Sequence, residues 1–129
     1  MSEVRGVVVA HGNLAKCIVE AAEGIAGVTG ALASISNRDC GPEELEERIR
    51  KAVGLGPAVV FVDLASGSCA RAARSLSRDS LPVSVITGVN LPMLLDFLFQ
   101  RDLGIAELAP RLVAKGHAGT VAYLPESPA

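Results

Sequence analysis

Tryptophan is absent from this 129-residue chain, and one tyrosine and three phenylalanines are its only aromatic residues. Half of the sequence is nevertheless hydrophobic, so the core is expected to be built from Val, Leu, Ile and Ala, which suits a layered α/β packing. Cysteine is also scarce. Cys17, Cys40 and Cys69 are an odd set with no C-x-x-C pair, which suggests neither a disulfide framework nor a zinc site. His11 with Cys17 lacks a second and third ligand at any ligand-like spacing, so no metal is expected. No Walker A or G-x-G-x-x-G fingerprint occurs, which removes support for a bound nucleotide, and no cofactor is expected. There is no basic block or aromatic-interleaved basic stripe, and the formal charge is −2; both argue against a nucleic-acid partner. Apolar runs stay well short of the roughly 18 residues of a membrane span, so no membrane insertion is expected. The opening Met-Ser-Glu-Val-Arg leads straight into an apolar strand without room for a signal peptide, and the cytoplasm is the expected compartment.

What is present is an alternation of apolar strands and amphipathic helices. Val4 to Ala10 reads as a buried strand, and Leu14 to Ala26 as a helix that Asn13 can cap, with Leu14, Cys17, Ile18, Ala21, Ala22 and Ile25 on one face. Gly30 to Ser36 is a second strand. A helix then begins at Pro42-Glu43-Glu44, with proline in the first turn and acids at the positive end of the dipole; Leu45, Ile49, Ala52 and Val53 are its apolar face. Pro57 to Asp63 is a third strand and Pro82 to Thr87 a fourth, with a helix from about Cys69 to Arg78 between them. Asn90 is placed to cap a helix from Leu91 to Gln100 whose Met93, Leu94, Phe97 and Leu98 point inward. Ile105 to Lys115 reads as a helix that Pro110 should kink or break. His117 falls in a loop, Gly119 to Leu124 reads as a last strand, and 125–129 as a frayed tail after a single domain over 1–124. Strands alternating with helices imply a parallel sheet with right-handed crossovers. The expected fold is thus a three-layer α/β/α sandwich around a mainly parallel sheet of four strands, with the C-terminal strand in addition.

In such a sheet every crossover strand points its carboxyl end the same way, the edge where open α/β sheets bind ligands. That brings His11, Asp63 and the Thr87-Gly88-Val89-Asn90 loop to one edge, although His11 and Asp63 are 52 residues apart. An aspartate beside an imidazole fixes its tautomer by accepting from one ring nitrogen, which leaves the other lone pair free for attack. Around the pair lie turns that feed helix N-termini, at Gly12-Asn13, Gly67-Ser68 and Gly88-Asn90, and helix N-termini attract phosphate. The combination suits phosphoryl transfer through phosphohistidine, with His11 and Asp63 as the reacting pair and Gly12, Gly67, Ser68 and Asn90 around the phosphate. Each residue also has a plainer reading. His11 alone is more often just bonded to a nearby carbonyl, Asp63 is a strand-end cap, Ser68 a helix cap, and Arg71, Arg74 and Arg78 a solvated face or a dock for an acidic partner.

The sequence resembles the enzyme IIA component of the mannose-type (mannose/fructose/sorbose) branch of the bacterial phosphoenolpyruvate-dependent sugar phosphotransferase system. The resemblance spans Val4 to about Leu124 and rests on His11-Gly12 after the first strand, on Phe61-Val62-Asp63 with Gly67-Ser68, and on Gly88-Val89-Asn90-Leu91-Pro92-Met93-Leu94. It implies a histidine that accepts phosphate from the phosphocarrier HPr and donates it to a IIB domain. It also implies that Asp63 hydrogen-bonds that histidine, that Ser68 lies beside the phosphoryl group, and that the last strand is exchanged in a homodimer. The chain departs from the family pattern in having Ala10 where threonine is frequent. A second departure is Leu64-Ala65-Ser66-Gly67-Ser68-Cys69, where a glycine-rich loop commonly ends in Ser-Pro. Two alternatives stand beside the carrier: a regulatory module whose phosphorylation state another protein reads, and the related subunit that feeds dihydroxyacetone kinase.

Overall fold

A computed structural model describes residues 3–79 and 81–126. The element order is β1 (Arg5–Ala10), α1 (Leu14–Ala26), β2 (Leu32–Ser36), α2 (Pro42–Val53), β3 (Ala58–Val62), α3 (Ser68–Ser77), β4 (Val83–Thr87), α4 (Leu91–Phe99) and α5 (Ile105–Ala118). The four strands form one sheet in the order β2-β1-β3-β4, and every pairing is parallel. The expected three-layer α/β/α architecture is therefore the observed one.

Strand periodicity sorts the core. Val8, Ala10, Val59 and Phe61 face α1, α4 and α5, where Phe97, Leu94, Leu108 and Leu112 are fully buried. Val7, Val9, Val60 and Val62 face α2 and α3 and pack on Leu45, Ile49, Val53 and Leu76. Phe61 meets Phe97 edge-on, with ring centroids 5.4 Å apart, the arrangement the ring quadrupoles favour. The connection from β1 to β2 runs toward one edge over α1. Those from β2 to β3 and from β3 to β4 run the other way over α2 and α3. A reversal of direction with a constant hand of crossover puts α1 on one face and α2 and α3 on the other.

Several sequence expectations are corrected. The buried stripe of α1 is Ala15, Val19 and Ala22, while Leu14 and Ile25 of the expected face are 47% and 64% exposed. The helix is apolar on more than one side, and the alanine stripe allows the closer approach to the sheet. Asn13 makes no cap bond to α1; its Oδ1 accepts from Arg38 instead, at 3.1 Å. Pro110 does not divide α5, which runs unbroken to Ala118. The carbonyl that loses its donor belongs to Ala106, an exposed residue, where water can replace the missing bond. His117 consequently sits in the last turn of α5, not in a loop. Gly119 to Leu124 is not a strand in the single chain: it leaves α5 as an exposed irregular segment with no sheet partner among the described residues. Pro125 and Glu126 continue that segment, and the rest of the expected tail, 127–129, lies outside the described residues.

Candidate active site

β1 and β3 are neighbours in the sheet, with Val9 paired to Val62. The chain leaves β1 toward one edge of the sheet and β3 toward the other, so the two strand ends flank a topological switch point, where parallel α/β sheets open a crevice. His11 and Asp63 are the residues just beyond those ends, and this register brings them together across the intervening sequence. Asp63 Oδ2 lies 2.8 Å from His11 Nδ1 and also accepts the backbone N–H of His11 at 3.0 Å. Asp63 Oδ1 accepts the N–H of Leu64 at 3.0 Å. The carboxylate side chain is 9% exposed and the imidazole 42%. Asp63 is thus held in place by three donors, and it holds one ring nitrogen while the ring stays accessible.

Burial raises the Asp63 pKa, but the bonds from the backbone and ring of His11 and the attraction of its imidazole outweigh burial and leave it below the ordinary value of 3.8. The aspartate is therefore an anion at neutral pH and stabilises the tautomer with the proton on Nδ1. The lone pair of Nε2 is then directed away from Asp63.

Two glycine turns shape the surroundings. Gly12 adopts φ +61°, a conformation that side chains rarely take. Its N–H donates to Asn37 Oδ1 at 3.2 Å, and its carbonyl accepts from Ser36 Oγ at 2.8 Å. Gly67 adopts φ +98°, and a side chain there would stand 3.9 Å from Cε1 and 4.0 Å from Nε2 of His11. The Gly67 turn therefore lies against the open edge of the imidazole. Ser68 is the exposed first residue of α3. The leading N–H groups of that helix have no intrahelical acceptor, which suits an anion.

Asn90 is placed differently from the other predicted residues. Its Oδ1 accepts from Met93 N at 3.2 Å and its Nδ2 donates to the Gly116 carbonyl at 2.9 Å. Both ends of the amide are engaged in capping α4 and tying it to α5, in a pocket lined by Thr87, Gly88 and His117. Arg71, Arg74 and Arg78 are exposed along α3 and line a groove with Glu46, Ser66 and Ser68.

Two residues that sequence reasoning did not select stand close to the pair. Cys69, fully buried, puts Sγ 3.9 Å from His11 Nδ1. Burial and the negative charge of Asp63 push its thiol pKa up. Arg38 places its guanidinium 3.5 Å from where a side chain on Gly12 would begin. Its backbone carbonyl, like that of Ser36, accepts from Arg48, at 3.1 and 3.2 Å. The one sequence signal for Cys69 is its position two residues after Gly67, in a loop that departs from the Ser-Pro pattern.

A histidine oriented by an aspartate at the switch point of a doubly wound parallel sheet defines a small α/β domain equipped for nucleophilic chemistry at one imidazole. Residues 6–110 match the family model for the fructose IIA component of the phosphotransferase system, the mannose-type EIIA family, and the chain belongs to that family. It is thereby a sugar phosphotransferase-system component, as the resemblance implied. A comparison with curated proteins finds no match. Among solved structures, the phosphotransferase component EIIA from Streptococcus agalactiae is 23% identical with a TM-score of 0.86, over 92% of this chain and 96% of that one. The mannose/sorbose-specific IIA subunit from Enterococcus faecalis is 24% identical with a TM-score of 0.82, over 98% of this chain and all of the other. A sigma-54 interaction domain protein from Enterococcus faecalis is 15% identical with a TM-score of 0.73, over 91% and 93% of the two chains. At these identities the likeness is one of fold.

Proposed function

We propose that this protein is a phosphohistidine carrier of the phosphoenolpyruvate-dependent sugar phosphotransferase system, acting on partners in the cytoplasm. His11 accepts a phosphoryl group from HPr and passes it to a IIB domain. The observation that carries this reading is the 2.8 Å contact between His11 Nδ1 and Asp63. With the proton held on Nδ1, the Nε2 lone pair attacks phosphorus in line. A new N–P bond forms as the N–P bond of the donor phosphohistidine breaks, and the donor imidazole leaves with its electron pair. The positive charge that develops on the His11 ring is stabilised by the Asp63 carboxylate. The phosphoryl oxygens meet the head of α3 and the Ser68 hydroxyl, and Gly12 and Gly67 keep the approach free of side chains. Among the described residues no helix is long and apolar enough to cross a membrane, in keeping with a carrier that diffuses between partners.

The test is incubation of the chain with phosphoenolpyruvate, enzyme I and HPr, read by intact mass. One phosphoryl group is expected, acid-labile and base-stable as a phosphoramidate is, and none on His11→Ala. Retention of the label in His11→Ala, or its appearance on Ser68, overturns the reading. Transfer onward to a IIB domain distinguishes a transport carrier from a regulatory module that shares the first step.

A further inference from the structure

His11, Asp63 and Cys69 each offer one donor atom, and the three atoms lie within 4.8 Å of one another. The cluster joins residues from the ends of β1 and β3 and the first turn of α3, and phosphoryl transfer uses only two of the three. The set is one nitrogen, one carboxylate oxygen and one sulfur, with no further oxygen donors. Magnesium and calcium prefer oxygen shells, whereas zinc takes N, O and S ligands in a tetrahedron. Zn–N and Zn–O bonds of about 2.0–2.1 Å and a Zn–S bond of about 2.3 Å set tetrahedral donor spacings of about 3.3 Å for N to O and about 3.6 Å for N to S. The structure has 2.8 Å between Nδ1 and Oδ2 and 3.9 Å between Nδ1 and Sγ. Side-chain adjustments of about half an ångström bring those two spacings to ligand distances, and the carboxylate–sulfur pair, which lies within 4.8 Å, has to close by up to about 1.2 Å to reach its tetrahedral spacing of about 3.6 Å. A thiolate and a carboxylate together also neutralise a divalent ion. Asp63 is already braced through its other oxygen by Leu64 N, the kind of outer bond that orients a metal ligand.

We propose that His11, Asp63 and Cys69 form a binding site for a zinc-class divalent cation, and that occupancy switches off phosphoryl acceptance at His11. The switching follows from counting protons. A neutral imidazole carries one N–H and one lone pair. In the phosphoryl-accepting form the proton is on Nδ1 and the lone pair on Nε2. A cation bound at Nδ1 takes the lone pair there, so the ring proton moves to Nε2, which then has nothing to attack phosphorus with. Cys69 loses its thiol proton to solvent, Asp63 stays an anion, and one proton is released per ion bound. Metal and phosphate thus compete for alternative tautomers of one ring. The switching half of the proposal rests on the carrier reading; the binding half does not.

The experiment uses the full chain with Cys17→Ser and Cys40→Ser, so that Cys69 is the one thiol. Titration with Co²⁺ is expected to give a sulfur-to-cobalt charge-transfer band that saturates at one equivalent and is displaced by Zn²⁺. Cys69→Ala in that background should lose the band and bind zinc about 100-fold or more weakly. No band in the parent, or a band that survives Cys69→Ala, overturns the site. Imidazole ¹⁵N shifts of the unmutated protein provide a reading independent of any variant: zinc should move the proton of His11 from Nδ1 to Nε2, and an unchanged tautomer overturns the proposal. Phosphate uptake from phospho-HPr is then measured with and without one equivalent of Zn²⁺, and loss of uptake is expected. Undiminished uptake at metal saturation overturns the switch. Metal binding by a chain that never takes up phosphate would overturn the carrier reading and leave the metal site standing. Uptake without metal binding would do the reverse.

Discussion

Asp63 takes three donors on its two carboxylate oxygens, and the proposed transfer makes this one side chain the residue to test. Asp63→Asn keeps the shape but supplies one acceptor oxygen where the backbone N–H of His11, its ring N–H and the N–H of Leu64 all need one. At least one of these bonds is lost, and the Nδ1 tautomer loses its anionic partner. Loss of the orienting aspartate costs about 10⁴-fold in a serine-protease triad. Phosphoryl transfer depends less on base strength and more on positioning, so a smaller loss, about 10²-fold, is expected in the rate of transfer from phospho-HPr. A rate equal to that of the unmutated chain would reduce Asp63 to a turn residue. The same aspartate also sets a pH dependence. Its folded pKa lies below its ordinary 3.8, so its contribution to stability is fully present above the unfolded value and is lost as pH falls through the folded one. Urea midpoints measured from pH 7 downward should therefore show Asp63→Asn less stable than the parent at neutral pH, with the gap closing below about pH 4. A gap that persists unchanged into strong acid would mean that the carboxylate charge is not what stabilises the site.

At the scale of elements, legibility in the sequence followed whether a side-chain cap fixes the phase of each helix. In α4 the expected inward residues Met93, Leu94, Phe97 and Leu98 are the buried ones, because the Asn90 cap fixes where the helix begins and hence its phase. Helix α1 lacks a side-chain cap; Lys16, Glu20 and Glu23 share its polar face, and within the wide apolar arc opposite, periodicity placed Ala22 and half-buried Ile18 inward correctly but missed buried Ala15 and Val19. The β1 and β3 ends were legible because continuous apolar runs stop abruptly at His11 and Asp63. Cys69 was not, since nothing in a spacing of 58 residues signals that the first turn of α3 delivers a thiol to a histidine at the end of β1. Asn90 was legible as a cap, but its second bond, to Gly116, depends on α5 continuing past Pro110. That bond makes Asn90→Ala an element-scale test. The substitution removes the acceptor for Met93 N and the donor for the Gly116 carbonyl, and a lost cap alone costs about 1 kcal/mol, up to about 2. A drop of that size in unfolding free energy is expected, with phosphate uptake by His11 preserved at temperatures where the variant is folded. If Asn90→Ala instead abolishes uptake in a fully folded protein, the residue belongs with the phosphate and not only with the helices.

For the whole molecule, the sheet ends in two edge strands, β2 and β4, and each leaves one row of backbone N–H and C=O groups without a strand partner among the described residues. Beyond α5 the chain carries Val121, Tyr123 and Leu124, exposed by 62%, 93% and 84%, in a stretch whose composition suits a strand. A strand-forming segment without a sheet and a sheet with open edges are complementary. Among the described residues of one chain neither is satisfied: Gly119 and Thr120 bond back to the end of α5, at Lys115, His117 and Gly116, and the segment beyond them is not paired to β4. We propose that the two meet between copies, the C-terminal segment of one subunit extending the sheet of the other in a homodimer. Such an exchange buries apolar side chains and fills backbone hydrogen bonds together, and it accounts for a strand-like sequence that is not a strand in the isolated chain. Light scattering on the intact protein at micromolar concentration should then give a dimer mass. A chain truncated after Thr120, which keeps all of α5, should give a monomer mass, with its helices and sheet intact by circular dichroism. A monomer mass for the intact chain is sufficient to discard the exchange; a dimer that survives the truncation would place the interface elsewhere on the molecule.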